Sequence, residues 1–351
     1  MAVGDASAAV LARCRAMDLV PREPAGSVDE LLAGVTSREP LGGTDGKSGA
    51  LLERVVIDGQ RFVLKQVHVD HDWTMRGFGD VGCRPVEVWA SGLLDAIPAC
   101  IDHAVVGAAA GLGRNGWGGA LLLHDVGEHL FPEGDEPISL EHHRLLLDHL
   151  AQLCAAFWDG GAGLDWGVPV ESRYAAFNPA WLAAERELGW PDPVPEIADK
   201  GWREFADRAP RAVVDGVTAL QADTTPLVTA LSATPATFLH GDWKLGNLGM
   251  RPEGRTVLLD WTYPGDGPPL YELAWHLSLN RARLPESKED TIDALRRAFE
   301  ANGIDTGGWW DVQLDLCLLG ALLQMGWEKA LGDGDELAWW CDRAVAGLER
   351  L

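Results

Sequence analysis

Basic residues are scarce. The chain carries 29 Lys and Arg against 53 Asp and Glu, a formal net charge of −24. A surface of that sign repels phosphate backbones and anionic headgroups, which excludes nucleic-acid and membrane partners and favours cationic ligands. The same excess also serves solubility. Long apolar runs are missing as well, and no stretch approaches the ~18 residues needed to span a bilayer. The first residues, MAVGDASAAVLARCRAMDLVP, place no basic segment ahead of their apolar ones, which argues against a secretory signal. Cysteines number six (Cys14, Cys83, Cys100, Cys154, Cys317 and Cys341), with no Cys-x-x-Cys pair. They read as free, buried thiols in a reducing compartment, and the expected location is cytoplasmic. Internal repeats and low-complexity segments are absent too.

What is present is ordinary for a folded protein: 47% hydrophobic and 23% charged residues over 351 positions, enough for two lobes. The exception is tryptophan, with sixteen. The pairs Trp309-Trp310 and Trp339-Trp340 read as core. Any tryptophan near the chemistry is a candidate wall for stacking a ring or holding a cation.

The chemistry concentrates in FLHGDWKLGNLGM, residues 238–250, followed by VLLDWTYPGDG at 257–267. Phe238-Leu239 and Val257-Leu258-Leu259 are short apolar runs of strand type that end on polar residues. They would deliver His240, Asp242, Lys244, Asn247 and Asp260 to one point. That set suits phosphoryl transfer, which needs an oriented hydroxyl, a metal on phosphate oxygens and positive charge for the moving group. Asp242 would accept or orient the hydroxyl proton. Asn247 and Asp260 offer the hard oxygens that Mg²⁺ prefers. Lys244 would reach the γ-phosphate.

HGDWKLGN fits H-x-D-x-x-x-x-N, and its His-Gly-Asp opening resembles the aminoglycoside phosphotransferase and choline kinase superfamily. LLDW resembles the metal-binding Asp of that superfamily. The resemblance spans roughly residues 36 to 285 and is strongest at 238–263. It implies a two-lobed protein kinase-like α/β (α+β) fold, with an antiparallel N-lobe over 1–123 that binds nucleotide and a mostly helical C-lobe over 124–351.

The chain before the motif reads accordingly. A short helix is expected over 7–20 and a second over 28–34. Val55-Val56-Ile57 and Arg61-Phe62-Val63-Leu64 flank Asp58-Gly59, a strong hairpin turn, and Lys65 ends the second strand. Lys65 resembles the strand lysine of the nucleotide α- and β-phosphates, and Glu87 the helix glutamate that pairs with it. The loop from Gly42 to Gly49 includes Gly43, Gly46 and Ser48, whose backbone could cover phosphates. It fails as a Walker A loop by one residue of spacing, and a hairpin rather than a helix follows it. His68, Asp70, His71 and Asp72 read as solvated residues rather than a metal site. Strands are expected at 100–110 and 119–123. The superfamily's adenine-binding hinge then falls at His124 and Val126.

Helices are expected at 139–158, 178–188, 200–207, 211–221, 288–302, 310–331 and 335–349. In the superfamily that the chain resembles, the insertion corresponding to 160–235 helps shape the acceptor site, which implies Asp159, Asp165, Trp166, Tyr174, Trp181 and Glu185 as candidates. Trp243, Trp261, Tyr263, Asp266 and Glu272 are further candidates. Glu272 stands where the superfamily often has Asp, and would steady the catalytic loop through a longer side chain. The expected activity is ATP- and Mg²⁺-dependent transfer to a small-molecule hydroxyl, with a cationic antibiotic such as an aminoglycoside as one acceptor and resistance as its consequence. A metabolite kinase for choline, a sugar or an amino alcohol is the alternative. A non-catalytic nucleotide-binding module is the rival of another class, and the presence of Lys65, Asp242, Asn247 and Asp260 argues against it.

Overall fold

The computed structural model describes residues 19–42, 48–189 and 193–351. Residues 7–18 of the first expected helix, and Gly43 and Gly46, lie outside the described residues.

A short helix, α1 (Val28–Leu31), precedes strands β1 (Val35–Pro40), β2 (Leu51–Ile57) and β3 (Gln60–His68). Asp58 and Gly59 both take positive φ (50° and 77°), the backbone of a tight hairpin turn whose twist matches its strands. Strands β5 (Val105–Leu112) and β6 (Gly118–His124) complete an antiparallel sheet of order β1-β2-β3-β6-β5. Successive side chains on a strand point to opposite faces. Leu64 packs with Leu32, Val55, Ala109, Ala120 and Leu122 on one face, so Lys65 is left to project from the other. The strand continues to His68 because the ladder to β6 persists that far, from Phe62↔His124 to His68↔Gly118. Lys65 is therefore internal to β3 rather than its last residue.

Two short helices, α2 (Trp73–Gly77) and α3 (Arg84–Ala90), connect β3 to the two-residue strand β4 (Ile101–Asp102). Asp72 caps α2 by accepting from Thr74 and Met75 N–H groups, and Asp70 pairs with Arg114. Asp70 thus serves ion pairs and Asp72 a cap, and Asp72, expected to be solvated, is buried, whereas His71 is exposed.

From residue 140 onward most of the chain is helical. Helix α4 (Leu140–Ala156) starts on Ser139, whose hydroxyl accepts from His142 N–H, as a capping residue should. Four short-to-medium helices follow: α5 (Val170–Tyr174), α6 (Pro179–Glu187), α7 (Val194–Arg208) and α8 (Arg211–Ala222). A further helix, α9 (Thr225–Ser232), was not expected from the sequence. After the motif come α10 (Leu270–Leu279), α11 (Lys288–Ala301), α12 (Trp310–Leu331) and α13 (Gly334–Leu348). Helix α12 is buried around most of its circumference, and α7, α10 and α13 pack against it. A helix apolar on all sides belongs in a core, and each fully buried Leu there contributes on the order of 1.5–3 kcal/mol of transfer free energy. The described cysteines are all free; four are buried and Cys100 is half-buried, as expected.

Two small sheets deliver the motif. Strand β7 (Thr237–Leu239) pairs with β10 (Gly265–Gly267), and β8 (Leu248–Met250) pairs with β9 (Thr256–Leu258), which runs parallel to β4. Among the described residues no helix is long and apolar enough to cross a membrane.

Candidate active site

The β8–β9 hairpin explains how residues distant in sequence meet. Leu248 lies opposite Leu258, and Leu259 N–H donates to the Asn247 carbonyl at 2.9 Å. Asn247 just before the hairpin and Asp260 just after it are thereby held side by side. Asp260 has φ of +63°, a left-handed conformation that costs a non-glycine residue on the order of 1–3 kcal/mol. The surroundings over-determine it: Lys65 Nζ lies 2.6 Å from Asp260 Oδ1, and the Thr262 hydroxyl donates to the same oxygen. Burial opposes ionisation of Asp260, but the lysine charges of Lys65 and Lys244 and these hydrogen bonds win, holding its carboxyl well below the usual carboxylate range.

Asp242 is 1% exposed and sits at the floor. Its Oδ2 accepts from Asn247 Nδ2 at 2.7 Å and faces Lys244 Nζ at 2.8 Å. Its Oδ1 accepts from the indole Nε1 of Trp275 at 2.7 Å. The Lys244 ammonium is pushed up despite burial, because Asp242 and Asp260 both stabilise its charge. The side chain of Lys244 is 36% exposed and that of Asp260 31%, so these two stand at the mouth above Asp242.

The loop bearing these groups is held by one face of α10 and the residue after it. Glu272 accepts from Gly241 N–H at 2.6 Å and Trp243 N–H at 3.3 Å. His276 Nδ1 meets the Trp243 carbonyl at 3.2 Å, and Asn280 Oδ1 accepts from Leu245 N–H at 2.9 Å. Burial pushes the Glu272 carboxyl up to about 7, against the lowering effect of its N–H donors and Arg173. Gly241 has φ of +86°, and a Cβ there would lie 2.2 Å from the Tyr263 carbonyl oxygen.

Several expected roles are corrected. His240 is fully buried, accepts from Asp242 N–H through Nδ1 at 3.2 Å and stands edge-on to Trp261. Burial pushes its imidazole down to about 4, so it is a neutral support beneath the loop and not a catalytic group. Trp243 and Trp261 are also buried, the latter donating to the Leu258 carbonyl, and neither can line an acceptor pocket. Asp266 turns away to accept from Ala162 and Gly163 N–H groups, tying that loop to β10. Glu272 contacts the loop at Gly241 and Trp243, as its expected bracing role anticipated, rather than facing outward to an acceptor.

The ion pair expected between Glu87 and Lys65 does not form among the described residues. Lys65 is engaged by Asp260, and its charge also reaches Asp72 at the start of α2. Glu87 lies on α3, half-buried near Asp165 and Asp80, and burial with those charges pushes its carboxyl up. Tyr174 donates to Cys317 and Glu185 pairs with Arg76, so both are structural. Tyr263 is half-buried with its ring 4.9 Å from Phe78, and Phe78 in turn packs on Trp181. Ser48 accepts from Trp73 N–H through its carbonyl, beside the undescribed part of its loop. At the hinge position His124 is exposed and stacks on Phe62, while Val126 is buried.

Trp275, His276 and Asn280 were not anticipated. A signal existed for the first two: they follow Glu272 by three and four residues and so share its helix face.

An antiparallel sheet presenting a lysine to a loop of paired Asp and Asn residues, over a helical bundle, defines a kinase-like phosphotransferase architecture. The family model of the phosphotransferase enzyme family matches residues 54–308, more than half of the chain, and the protein belongs to that family. Among solved structures, a microcompartment-associated aminopropanol kinase is similar over 97% of this chain and 95% of its own, at 13% identity and a TM-score of 0.50. A choline kinase, LicA from Streptococcus pneumoniae, matches over 92% and 96% at 16% identity and a TM-score of 0.45. A thermostable mutant of aminoglycoside phosphotransferase APH(4)-Ia matches over 90% and 94% at 14% identity and a TM-score of 0.48. A comparison with curated proteins finds no match.

Proposed function

We propose that this protein transfers the γ-phosphoryl group of ATP to a hydroxyl group of a small molecule, dividing the work between a nucleotide-binding part up to residue 123 and a catalytic part from 124. The observation that carries this reading is the convergence of Lys65, Asp242, Lys244, Asn247 and Asp260 from three separate elements. Asp242 takes the hydroxyl proton. The hydroxyl oxygen's electron pair forms a bond to the γ-phosphorus, and the bond to the β–γ bridging oxygen breaks with its electrons leaving on ADP. Lys65 and Lys244 supply positive charge for the phosphate oxygens, which is worth most in a site poor in water.

A magnesium site fits the residues present. Asn247 gives its amide N–H to Asp242, leaving its carbonyl oxygen for a ligand, and Asp260 takes its described donors on Oδ1, leaving Oδ2. These are hard oxygen donors. Bound Mg²⁺ would neutralise phosphate charge there.

The acceptor class is tested by a screen of amino alcohols, aminoglycosides, nucleoside antibiotics and sugars with Mg-ATP. Mass spectrometry should find one acceptor gaining a phosphoryl group. In Asp242→Asn, kcat should fall about 10²-fold or more with ATP affinity within about threefold, the scale for losing a positioned base. An Asp242→Asn enzyme as fast as its parent removes Asp242 as the base.

A further inference from the structure

We propose that Trp275 is a positioning residue for the base, fixing the Asp242 carboxylate so that Oδ1 is the oxygen that receives the acceptor's proton. The proposal rests on the reading of Asp242 as the base. Each carboxylate oxygen offers two lone-pair sites. Oδ2 is filled by Asn247 Nδ2 at 2.7 Å and Lys244 Nζ at 2.8 Å. Oδ1 has a single described donor, the Trp275 indole at 2.7 Å, and so keeps one site for a hydroxyl. With donors on both oxygens, the carboxylate is fixed about its last torsion, and the open lone pair has one direction.

The indole is itself held. Two rings lie near it and nearly parallel to it: Tyr271, 6.1 Å away and 9° from parallel, and Phe177, 6.5 Å away and 23° from parallel. Tyr271 lies one helical turn back on α10, and the Arg173 guanidinium covers its ring at 5.3 Å. Phe177 has φ of +60°, a conformation unfavourable for an aromatic residue unless its neighbours enforce it. A buried donor packed against two aromatic rings keeps the base oriented before the substrate arrives, which is the requirement for a precise site. The transfer then proceeds with the hydroxyl proton moving to Oδ1, the oxygen bonding to the γ-phosphorus and ADP departing with the electrons of the broken bond.

The test is Trp275→Phe, which keeps a ring in the stack and deletes the donor. With the acceptor found by the screen, kcat should drop about tenfold, the scale for one hydrogen bond to a charged group, while KM for Mg-ATP stays within about twofold. In the Asp242→Asn background the same change should cost nothing further, because the carboxylate it orients is gone. A kcat equal to the parent, or an equal drop in both backgrounds, overturns the proposal. A second measurement uses a protein that keeps the tryptophan. In ¹⁵N-tryptophan-labelled protein the Trp275 indole N–H signal, assigned by its loss in Trp275→Phe, should move upfield in Asp242→Asn as its acceptor loses charge. A signal that does not move overturns the contact. Absence of transfer by the parent to every acceptor would instead defeat the proposed function, and the indole signal would still decide whether the contact exists.

Discussion

Asp260 and Gly241 hold the site by opposite means, one by carrying charge and the other by having no side chain. Asp260 is kept ionised by Lys65 and Lys244, so its carboxylate is ready for a cation without a pH change. ATP with Mg²⁺ should therefore raise the Tm by linkage, and Asp260→Ala should abolish the magnesium-dependent part of that rise. A magnesium response of parental size in the variant would remove Asp260 from the metal site. Gly241 is packed too tightly for any Cβ, since the added atom would meet the Tyr263 carbonyl and the Arg173 guanidinium. Gly241→Ala should destabilise the fold by ~2–4 kcal/mol, the range of steric and backbone strain at a fixed position. A Cβ on Gly246, in the same loop, would meet only Lys244 Cε, at 3.9 Å. Gly246→Ala should stay within ~1 kcal/mol of the parent. Chemical denaturation of the pair checks this, and equal losses would show that loop tightness alone sets the cost.

At the scale of elements, helix α10 and Asn280 act as a single brace. Glu272, Trp275, His276 and Asn280 share one face and together hold residues 241–245. Glu272→Gln leaves one acceptor where two N–H groups need partners, at a cost of ~1–3 kcal/mol for the buried donor left unpaired. The expected outcome is a lower Tm and a kcat reduced about tenfold, read by thermal melts and steady-state kinetics; parental values of both would show that the loop holds itself. How much of this was legible follows from the range of the interactions. The Asp58-Gly59 hairpin and the limits of α12 are written in local residues, and the structure reproduces them. Asp242, Asn247 and Asp260 were legible because a short loop and one hairpin bring them together. The Trp275 contact was not, because it depends on how α10 docks on a loop thirty residues earlier in the chain. Lys65 pairs with Asp260 instead of Glu87 for the same reason: tertiary packing, invisible in either segment, decides which carboxylate faces the lysine. His240 and Asp266 misled because a polar residue beside a reactive one is as readily used to fold the loop as to do chemistry.

Across the whole molecule, the buried histidines set an acid limit on stability. Burial is the chief cause at each: His240 and His276 are pushed down to about 4, His143 to about 3, and His149 is pushed down as well. Unfolding returns them toward 6.5, so below that pH the unfolded chain binds more protons than the folded one. Stability is then lost as pH falls from 6.5 through 4. Glu272 acts in the other direction. Its folded value is raised from 4.5 to about 7, so the folded state holds the extra proton in that window. That contribution is complete below pH 4.5 and is lost as pH rises through 7. Burial raises Asp72, Asp80 and Glu87 too, which adds to the Glu272 side. The histidines outweigh these carboxyls, and the net expectation is a Tm that drops by at least ~5 °C between pH 6.5 and 4, given a few degrees per kcal/mol for a chain of this size. His276→Gln, whose amide can still donate to the Trp243 carbonyl, should flatten this acid slope. Glu272→Gln should steepen it by deleting the opposing proton uptake. Calorimetry at half-unit pH steps reads all three proteins, and a His276→Gln slope equal to the parent's would show that His276 binds its proton equally in the folded and unfolded chain and that another group sets the acid limit.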